Sequence, residues 1–142
     1  MTKEGNQTED FNSNLYMKTI INTPNAPAPI GPYNQAVLVD NTLYASGQIA
    51  LNPKTMELVT DNIQNETQQV MQNIEQVLKA ASMDFSHVVK ASIFISDMND
   101  FSAINEVYGK YFDEATAPAR ETVQVAALPK HVNVEISVIA VR

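Results

Sequence analysis

Hydrophobic and polar positions alternate along the chain with two different periods, and the helical period is clearest over residues 61–82. Apolar or small side chains recur there every three to four residues, while the remaining positions carry Gln, Asn and Glu. This spacing predicts an amphipathic helix that lies on a sheet. A second, shorter helix is predicted over residues 100–112, after capping residues between Asp97 and Asn99.

Strand-like runs surround both helices. They cover residues 17–22, 35–40, 42–47, 88–97, 120–127 and 132–141. The dipeptide Asp40-Asn41 favours a hairpin turn. We write the element order as ββ-α-β-α-ββ, with hairpins at both ends. This order predicts an α+β fold in which two helices cover one face of a mixed sheet.

The loop over residues 23–33 holds four prolines and a glycine. Proline has a fixed φ and no backbone donor, so this loop is neither a helix nor a central strand. A proline-stiffened loop of this kind is either a connector or the wall of a site.

The last two strands carry unusual charges. Alternation in residues 132–141 puts an apolar row on one face, which should lie under the helices, and Glu135 on the opposite, mixed face. In residues 120–127 we assign Val123 to the dry face, and Arg120 and Thr122 to the mixed face. An apolar patch left on the mixed face favours burial against another copy of the chain. We therefore expect a homo-oligomer with Arg120 and Glu135 in a cleft between subunits.

Two interpretations of Arg120 and Glu135 remain open at this point. A guanidinium fork matches a carboxylate, and a nearby acid can hold or activate water, which is the chemistry of a substrate site. A salt bridge that stabilises the subunit contact is the commoner use of such a pair.

Composition narrows the class of protein. The 142 residues fit one domain over residues 17–142, preceded by a polar, Asn-rich stretch over residues 1–16 that we interpret as a flexible N-terminal extension. The chain has no cysteine, which excludes disulfides, thiolate metal sites and cysteine nucleophiles and agrees with a cytoplasmic location. No apolar run is long enough to predict a membrane-spanning helix.

Charge argues against nucleic acid as a partner. The formal net charge is −7 and the sequence has no basic cluster that would neutralise phosphates. His87 and His131 stand alone, without the spacing of metal ligands, so no metal site is predicted.

Short motifs spread over most of residues 17–142 resemble one family. They lie at residues 25–27, 30–33, 46–49, 52–53, 97–101, 117–120, 123–126, 128–129 and 134–140. Together, in this order, they resemble the Rid (YjgF/YER057c, reactive-intermediate deaminase) family. The resemblance implies a chorismate-mutase-like (YjgF-like) α+β fold and a homotrimer with clefts between subunits.

The same resemblance implies a reaction. It is the hydrolysis of reactive 2-imino acids, such as 2-iminopropanoate and 2-iminobutanoate, to 2-keto acids and ammonia, without a cofactor. The alternative is a non-catalytic trimeric module that binds small carboxylates or acts as a chaperone. RNA cleavage, a third possibility for relatives, fits the acidic charge poorly.

The family's main roles are carried over to this chain position by position. Arg120 matches the residue that clamps the substrate carboxylate, and Glu135 matches the acid that positions water. Tyr33 matches the tyrosine that lines the cleft, and we place it with these two as catalytic. Asn99 matches a cleft-lining asparagine.

Three further positions are expected to bind substrate. Ser46 and Gly47 belong to the motif at residues 46–49, and the surrounding sequence is not that of a nucleophile elbow. Thr122 stands where many members have cysteine. A threonine keeps the backbone contact that the resemblance implies, but it removes a reactive thiol.

Overall fold

Residues 17–142, which a computed structural model describes, form six strands and two α-helices. The extension expected over residues 1–16 lies outside the described residues. The strands are β1 (Lys18–Ile21), β2 (Ala36–Val39), β3 (Thr42–Ala45), β4 (Val88–Ile95), β5 (Ala119–Gln124) and β6 (Val134–Val141), and the helices are α1 (Ile63–Ala80) and α2 (Phe101–Gly109).

The six strands form one mixed sheet in the order β1-β2-β3-β6-β4-β5. Strands β4 and β5 are parallel, whereas the other neighbours are antiparallel. The α+β class with two helices is confirmed. The strand predicted over residues 17–22 is present as β1, so three strands precede α1, one more than in the predicted order. The predicted hairpin at the C-terminal end is wrong, because β4 lies between β5 and β6.

Helix α1 begins where the sequence offers a cap. The side chain of Asn62 accepts a hydrogen bond from the backbone N–H of Asn65 at 2.8 Å, which satisfies one of the free donors of the first turn. The apolar face predicted from the spacing is buried against the sheet, with Val70, Ile74 and Val77 at its centre. The chain then turns at Ser82, whose φ of 58° is left-handed.

Both helices pack on one face of the sheet. The apolar row of β6, which includes Val134 and Ile136, is fully buried beneath them in the same core as Ile104 of α2. The predicted dry face of β6 is therefore confirmed.

The opposite face of the sheet, which we call the open face, has no helix over it among residues 17–142. The strand registers place several exposed apolar side chains on it, in five of the six strands. They include Ile20, Val39, Tyr44, Val123 and Val141, each between 39% and 51% exposed. A row of this kind is typical of a surface that another protein chain covers.

The predicted face of Arg120 is wrong. Arg120 is the register partner of Ala91 in β4, and Ala91 is also the partner of Val138 in the buried row of β6. Paired residues point to the same face of a sheet, so Arg120 and Thr122 point to the helix side and Val123 to the open face. The alternation of β5 was read correctly, but its faces were exchanged because an edge strand buries too little to identify its inner row.

None of the helices in residues 17–142 combines the length and apolar character needed to cross a membrane.

Candidate functional site

A hollow of about 410 Å³ opens beside the junction of β3 and β6. The proline-rich loop forms one of its walls, through Pro27, Ala28, Ile30 and Tyr33. The rest of the lining is largely apolar, with Glu135 as its charged residue. The lining comprises Pro27, Ala28, Ile30, Tyr33, Gln35, Ser46, Gly47, Gln48, Ile49, Leu51, Pro129 and Glu135.

The carboxylate of Glu135 lies directly against the backbone of Gly47. A Cβ atom built at Gly47 would fall 2.1 Å from Glu135 Oε1 and 2.9 Å from its Cδ. Glycine is therefore required here because the acid approaches the main chain closely. Two of the predicted site residues thus form one unit, and the missing Cβ of Gly47 makes the space for the acid.

Burial raises the pKa of the Glu135 carboxyl above its ordinary value. The cause is desolvation, which disfavours the charged form of an acid. Among residues 17–142, no lysine, arginine or histidine forms an ion pair with it. An acid with a raised pKa and no paired cation is suited to accept and return a proton.

The hydroxyls of Tyr33 and Ser46 differ in the strength of their hydrogen bonds within the chain. Tyr33 lines the hollow with a half-exposed ring, and its hydroxyl has a long contact of 3.5 Å with the backbone N–H of Ile30. Ser46 Oγ donates to the backbone carbonyl of Asn34 at 2.7 Å. Ser46 therefore ties the chain before β2 to the end of β3, whereas the hydroxyl of Tyr33 has only this long contact.

Gln35 is a site residue that the sequence analysis missed. It is 2% exposed, and its side-chain amide donates to the carbonyls of Thr23, Ala26 and Pro27 at 2.9–3.1 Å. Its side-chain oxygen also accepts from the Thr23 N–H. Gln35 therefore holds the proline-rich loop as the wall of the hollow. A single polar residue at the start of an apolar strand run was the available signal.

Arg120 lies elsewhere, at the free edge of the sheet. Its Nη1 donates to Asn105 Oδ1 of α2 at 2.6 Å. Its Cζ lies 5.7 Å from the ring centre of Phe101 and 5.0 Å from that of Tyr108. These contacts orient the guanidinium, and no carboxylate pairs with it among residues 17–142.

Thr122 and Asn99 are on the same side of the molecule as Arg120. Thr122 is two residues along β5, and its Oγ1 is buried without a hydrogen-bond partner in the part of the chain that the structure describes. Asn99 lies in the turn before α2, where its backbone N–H is capped by Asp97 Oδ1 at 2.9 Å. We call Arg120, Thr122 and Asn99 the edge group.

The hollow and the edge group do not meet within one chain. Arg120 and Glu135 lie two strands apart and about three residues apart along the sheet, which corresponds to about 14 Å between Cα atoms. Their side chains also point to opposite faces. The two charges therefore do not form the salt bridge that was one of the two interpretations.

A second groove in residues 17–142 lies away from the predicted site residues. A wider groove of about 690 Å³ runs between α1 and the turn at Pro53, and amide side chains line most of it, with none of the predicted site residues. Residues 17–142 contain no cluster of His, Asp and Glu that could hold a metal ion.

Comparison with known proteins agrees with the motifs. Residues 23–142 match the family model described as Endoribonuclease L-PSP. A 2-iminobutanoate/2-iminopropanoate deaminase of Capra hircus is 52% identical over 126 residues, which cover 89% of this chain and 91% of that protein. Other curated relatives, from Synechocystis and Pyrococcus horikoshii, are named only as RutC family proteins.

Solved structures share the fold over nearly their whole length. YyfA of Yersinia pestis, described as a member of the conserved Rid protein family, has a TM-score of 0.85 and 48% identity, covering 88% of this chain and 99% of that one. TdcF of E. coli, solved with bound serine, has a TM-score of 0.82 and 43% identity, covering 87% and 98%. From its motifs, its sheet order and these matches, the chain belongs to the YjgF/Rid family, whose family model is Endoribonuclease L-PSP.

Proposed function

We propose that this protein hydrolyses reactive 2-imino acids, such as 2-iminopropanoate and 2-iminobutanoate, to 2-keto acids and ammonia. The observation that carries the proposal is the Glu135 carboxylate, which is half-buried and unpaired among residues 17–142 and faces a hollow large enough for a small substrate. Relatives of about 50% identity that are named 2-iminobutanoate/2-iminopropanoate deaminase support the same reaction.

A second copy of the chain completes the site in this proposal. One chain supplies the acid and Tyr33, and a neighbouring chain supplies the edge group with Arg120. Three features support this arrangement. The Cα atoms of Arg120 and Glu135 lie about 14 Å apart within one chain, with side chains on opposite faces. The open face carries exposed apolar residues, and β5 has a free edge. We propose a closed homotrimer, in which each contact between chains forms one cleft.

The substrate carboxylate binds Arg120. A guanidinium presents parallel N–H donors that match a carboxylate, and this match sets the orientation of the substrate as well as its affinity. Asn105 and the rings of Phe101 and Tyr108 hold the guanidinium in place before the substrate arrives. The backbone of Thr122 and the side chain of Asn99 are the further contacts that we assign to this end of the substrate.

The chemistry is the addition of water to a C=N bond. Glu135 takes a proton from water while the hydroxide oxygen bonds to the carbon of the protonated imine, which gives a neutral carbinolamine. Glu135 then gives that proton to the amino nitrogen. The C–N bond breaks, the hydroxyl proton returns to Glu135 as the C=O bond forms, and this proton finally leaves with ammonia as ammonium.

The raised pKa of Glu135 suits both halves of this cycle. A carboxylate of ordinary pKa is a weak base near neutral pH, and burial makes it a stronger one. The imine carbon is already electrophilic, so orientation of the anion and delivery of water supply most of the acceleration. These steps need no metal and no organic cofactor, and the lack of cysteine is the support for our proposal that they occur in the cytoplasm.

A coupled assay tests the proposal. An amino-acid oxidase or dehydratase generates the imino acid, and semicarbazide traps what remains of it. We expect the wild-type protein to lower the trapped fraction in proportion to its concentration, and the Glu135→Gln variant to leave it unchanged. Equal trapping with and without the wild-type protein would contradict the proposal and favour the non-catalytic carboxylate-binding module.

RNA cleavage is the second candidate, and the description of the family model is what favours it. The net charge of −7 opposes it, because polyanion binding depends on neutralising phosphates. The acid in the hollow would also repel a phosphate backbone. Incubation with a labelled RNA, with the Glu135→Gln variant as control, distinguishes this activity from imine hydrolysis.

A further inference from the structure

Glu66, in the first turn of α1, is a fully buried acid. Its Oε2 accepts from the backbone N–H groups of Asn133 and Val134 at 2.7 and 3.2 Å, and its Oε1 accepts from Asn133 Nδ2 at 2.8 Å. No cation pairs with it among residues 17–142. Burial of an acid is costly unless donors satisfy it, so this arrangement needs a reason.

The reason lies in where β3 leaves the sheet. Gln48 still pairs with Ile136 of β6, through hydrogen bonds of 2.8 and 3.1 Å. Two residues earlier in β6, the N–H of Val134 points to the same side as that of Ile136. The chain after Gln48 does not reach it, because that chain has turned to pair with itself: the carbonyl of Ala50 accepts from the N–H of Val59. The carboxylate of Glu66 takes the place of the missing strand.

The Glu66 carboxylate holds the segment that carries two lining residues of the hollow, Pro129 and Glu135. Glu135 follows Val134 directly, and its side chain has no hydrogen bond within residues 17–142, so its position depends on the backbone that carries it. The turn that provides Pro129 leads into Asn133, and two of its residues, Lys130 and His131, have left-handed φ values of 54°. Such strained conformations persist where the surrounding structure holds them.

We infer that Glu66 is a positioning residue for the proposed reaction: its buried carboxylate clamps the start of β6 and so fixes the Glu135 carboxylate and the Pro129 wall in the hollow. The inference rests on the proposed function. It goes beyond that function by assigning part of the rate to a residue that the substrate does not touch.

Replacement of Glu66 with residues of different acceptor capacity tests the inference. Glu66→Gln keeps an oxygen for the two backbone donors, and we expect its kcat to stay near that of the wild type. Glu66→Leu has similar volume but no acceptor, and we expect kcat to fall by about ten- to a hundredfold with KM nearly unchanged, because the acid moves while the arginine does not. Should the leucine variant fail to fold, Glu66→Asp keeps the carboxylate but shortens its reach, with the same expected direction.

Thr67→Val is the matched control. Thr67 is the neighbouring, equally buried residue, and its hydroxyl donates only to Ile63 of its own helix at 2.7 Å. Its loss should lower stability without changing kcat. If kcat of the Glu66→Leu and Glu66→Asp variants, measured well below their unfolding temperatures, equals that of Thr67→Val, Glu66 is merely structural and the inference is wrong.

Crystal structures provide a second readout that does not depend on activity. We expect the Glu135 carboxylate to lie about 1 Å or more from its wild-type position beside Gly47 in the leucine or aspartate variant, and to stay in place in Thr67→Val. An unmoved carboxylate would overturn the inference. If the wild-type protein does not hydrolyse imino acids, the proposed function fails, while this structural comparison still decides the role of Glu66.

Discussion

Substitution of Gly47 with alanine tests whether the position of the Glu135 carboxylate sets the rate. The new Cβ would lie 2.1 Å from Glu135 Oε1 and 3.0 Å from its Cγ. Ordinary van der Waals contact begins at 3.4 Å, so Oε1 must retreat by at least 1.3 Å, the difference between 3.4 and 2.1 Å. The backbone of Gly47 does not need a left-handed φ, so the effect of the substitution is steric.

The size of the expected effect follows from that displacement. A misplacement of about 1 Å in a reacting group costs about a hundredfold in rate, which is about 2.7 kcal/mol of activation free energy. The free energy of unfolding should change little. Rotating the Glu135 side chain away costs about 1 kcal/mol, and replacing glycine with alanine returns about 0.4–1 kcal/mol by restricting the unfolded chain.

The assay compares kcat and thermal stability in the wild-type protein and four variants. Gly109→Ala is the matched control, because its Cβ would meet nothing within 4 Å and alanine favours the end of α2. We expect kcat to fall about a hundredfold in Gly47→Ala and to be unchanged in Gly109→Ala. In a Glu135→Gln background, Gly47→Ala should cause no further loss, because the two changes act on one group. Wild-type kcat in Gly47→Ala would refute the reasoning.

Three further predictions concern the acid, the arginine and the open face. Glu135→Gln should abolish hydrolysis and raise thermal stability near neutral pH: burial raises the pKa of this acid in the folded state, so folding opposes its ionisation, and the gain should disappear below the unfolded pKa, where both states are protonated. Equal thermal stability of Glu135→Gln and the wild type, both near neutral pH and below the unfolded pKa, would contradict this prediction. Arg120→Ala removes a charge-assisted contact of about 1.5–3 kcal/mol and should raise KM about ten- to a hundredfold. Lys110→Ala, the control, should leave KM unchanged. Equal KM values in the two variants would exclude Arg120 as the residue that binds the substrate carboxylate. Val123→Asp should dissociate the proposed homotrimer in sedimentation experiments and remove activity, while Gln64→Glu adds the same charge on α1 without either effect.

The pattern of the sequence predicted the elements with large buried faces. Helix α1 and the apolar row of β6 follow directly from spacing, because each buries most of one side against the core. The hollow was also largely accessible from sequence, since Tyr33, Gly47 and Glu135 all lie in recognisable motifs and the structure brings them together.

Features that depend on strand order and register could not be read from spacing. Arg120 was placed on the face of Glu135 because both strands alternate, but the insertion of β6 between β3 and β4 is a property of the whole chain. Glu66 counted among the polar residues of α1, although it lies three residues after Ile63 and four before Val70 on the buried side. Its partners at the start of β6 are 67 and 68 residues away in the sequence, so no local pattern indicated them.

Mixing two impaired variants tests most directly whether Arg120 and Glu135 of different chains form one site. The Arg120→Ala chain retains the acid, and the Glu135→Gln chain retains the arginine. After the two are unfolded and refolded together in equal amounts, random assembly into closed rings should restore about a quarter of the wild-type activity, because that share of contacts joins an intact acid to an intact arginine. With substrate far below KM, Glu135→Gln refolded alone should be inactive, and Arg120→Ala refolded alone should keep about a tenth of the wild-type activity or less. Activity in the mixture no greater than in the separate variants would contradict a site shared between chains.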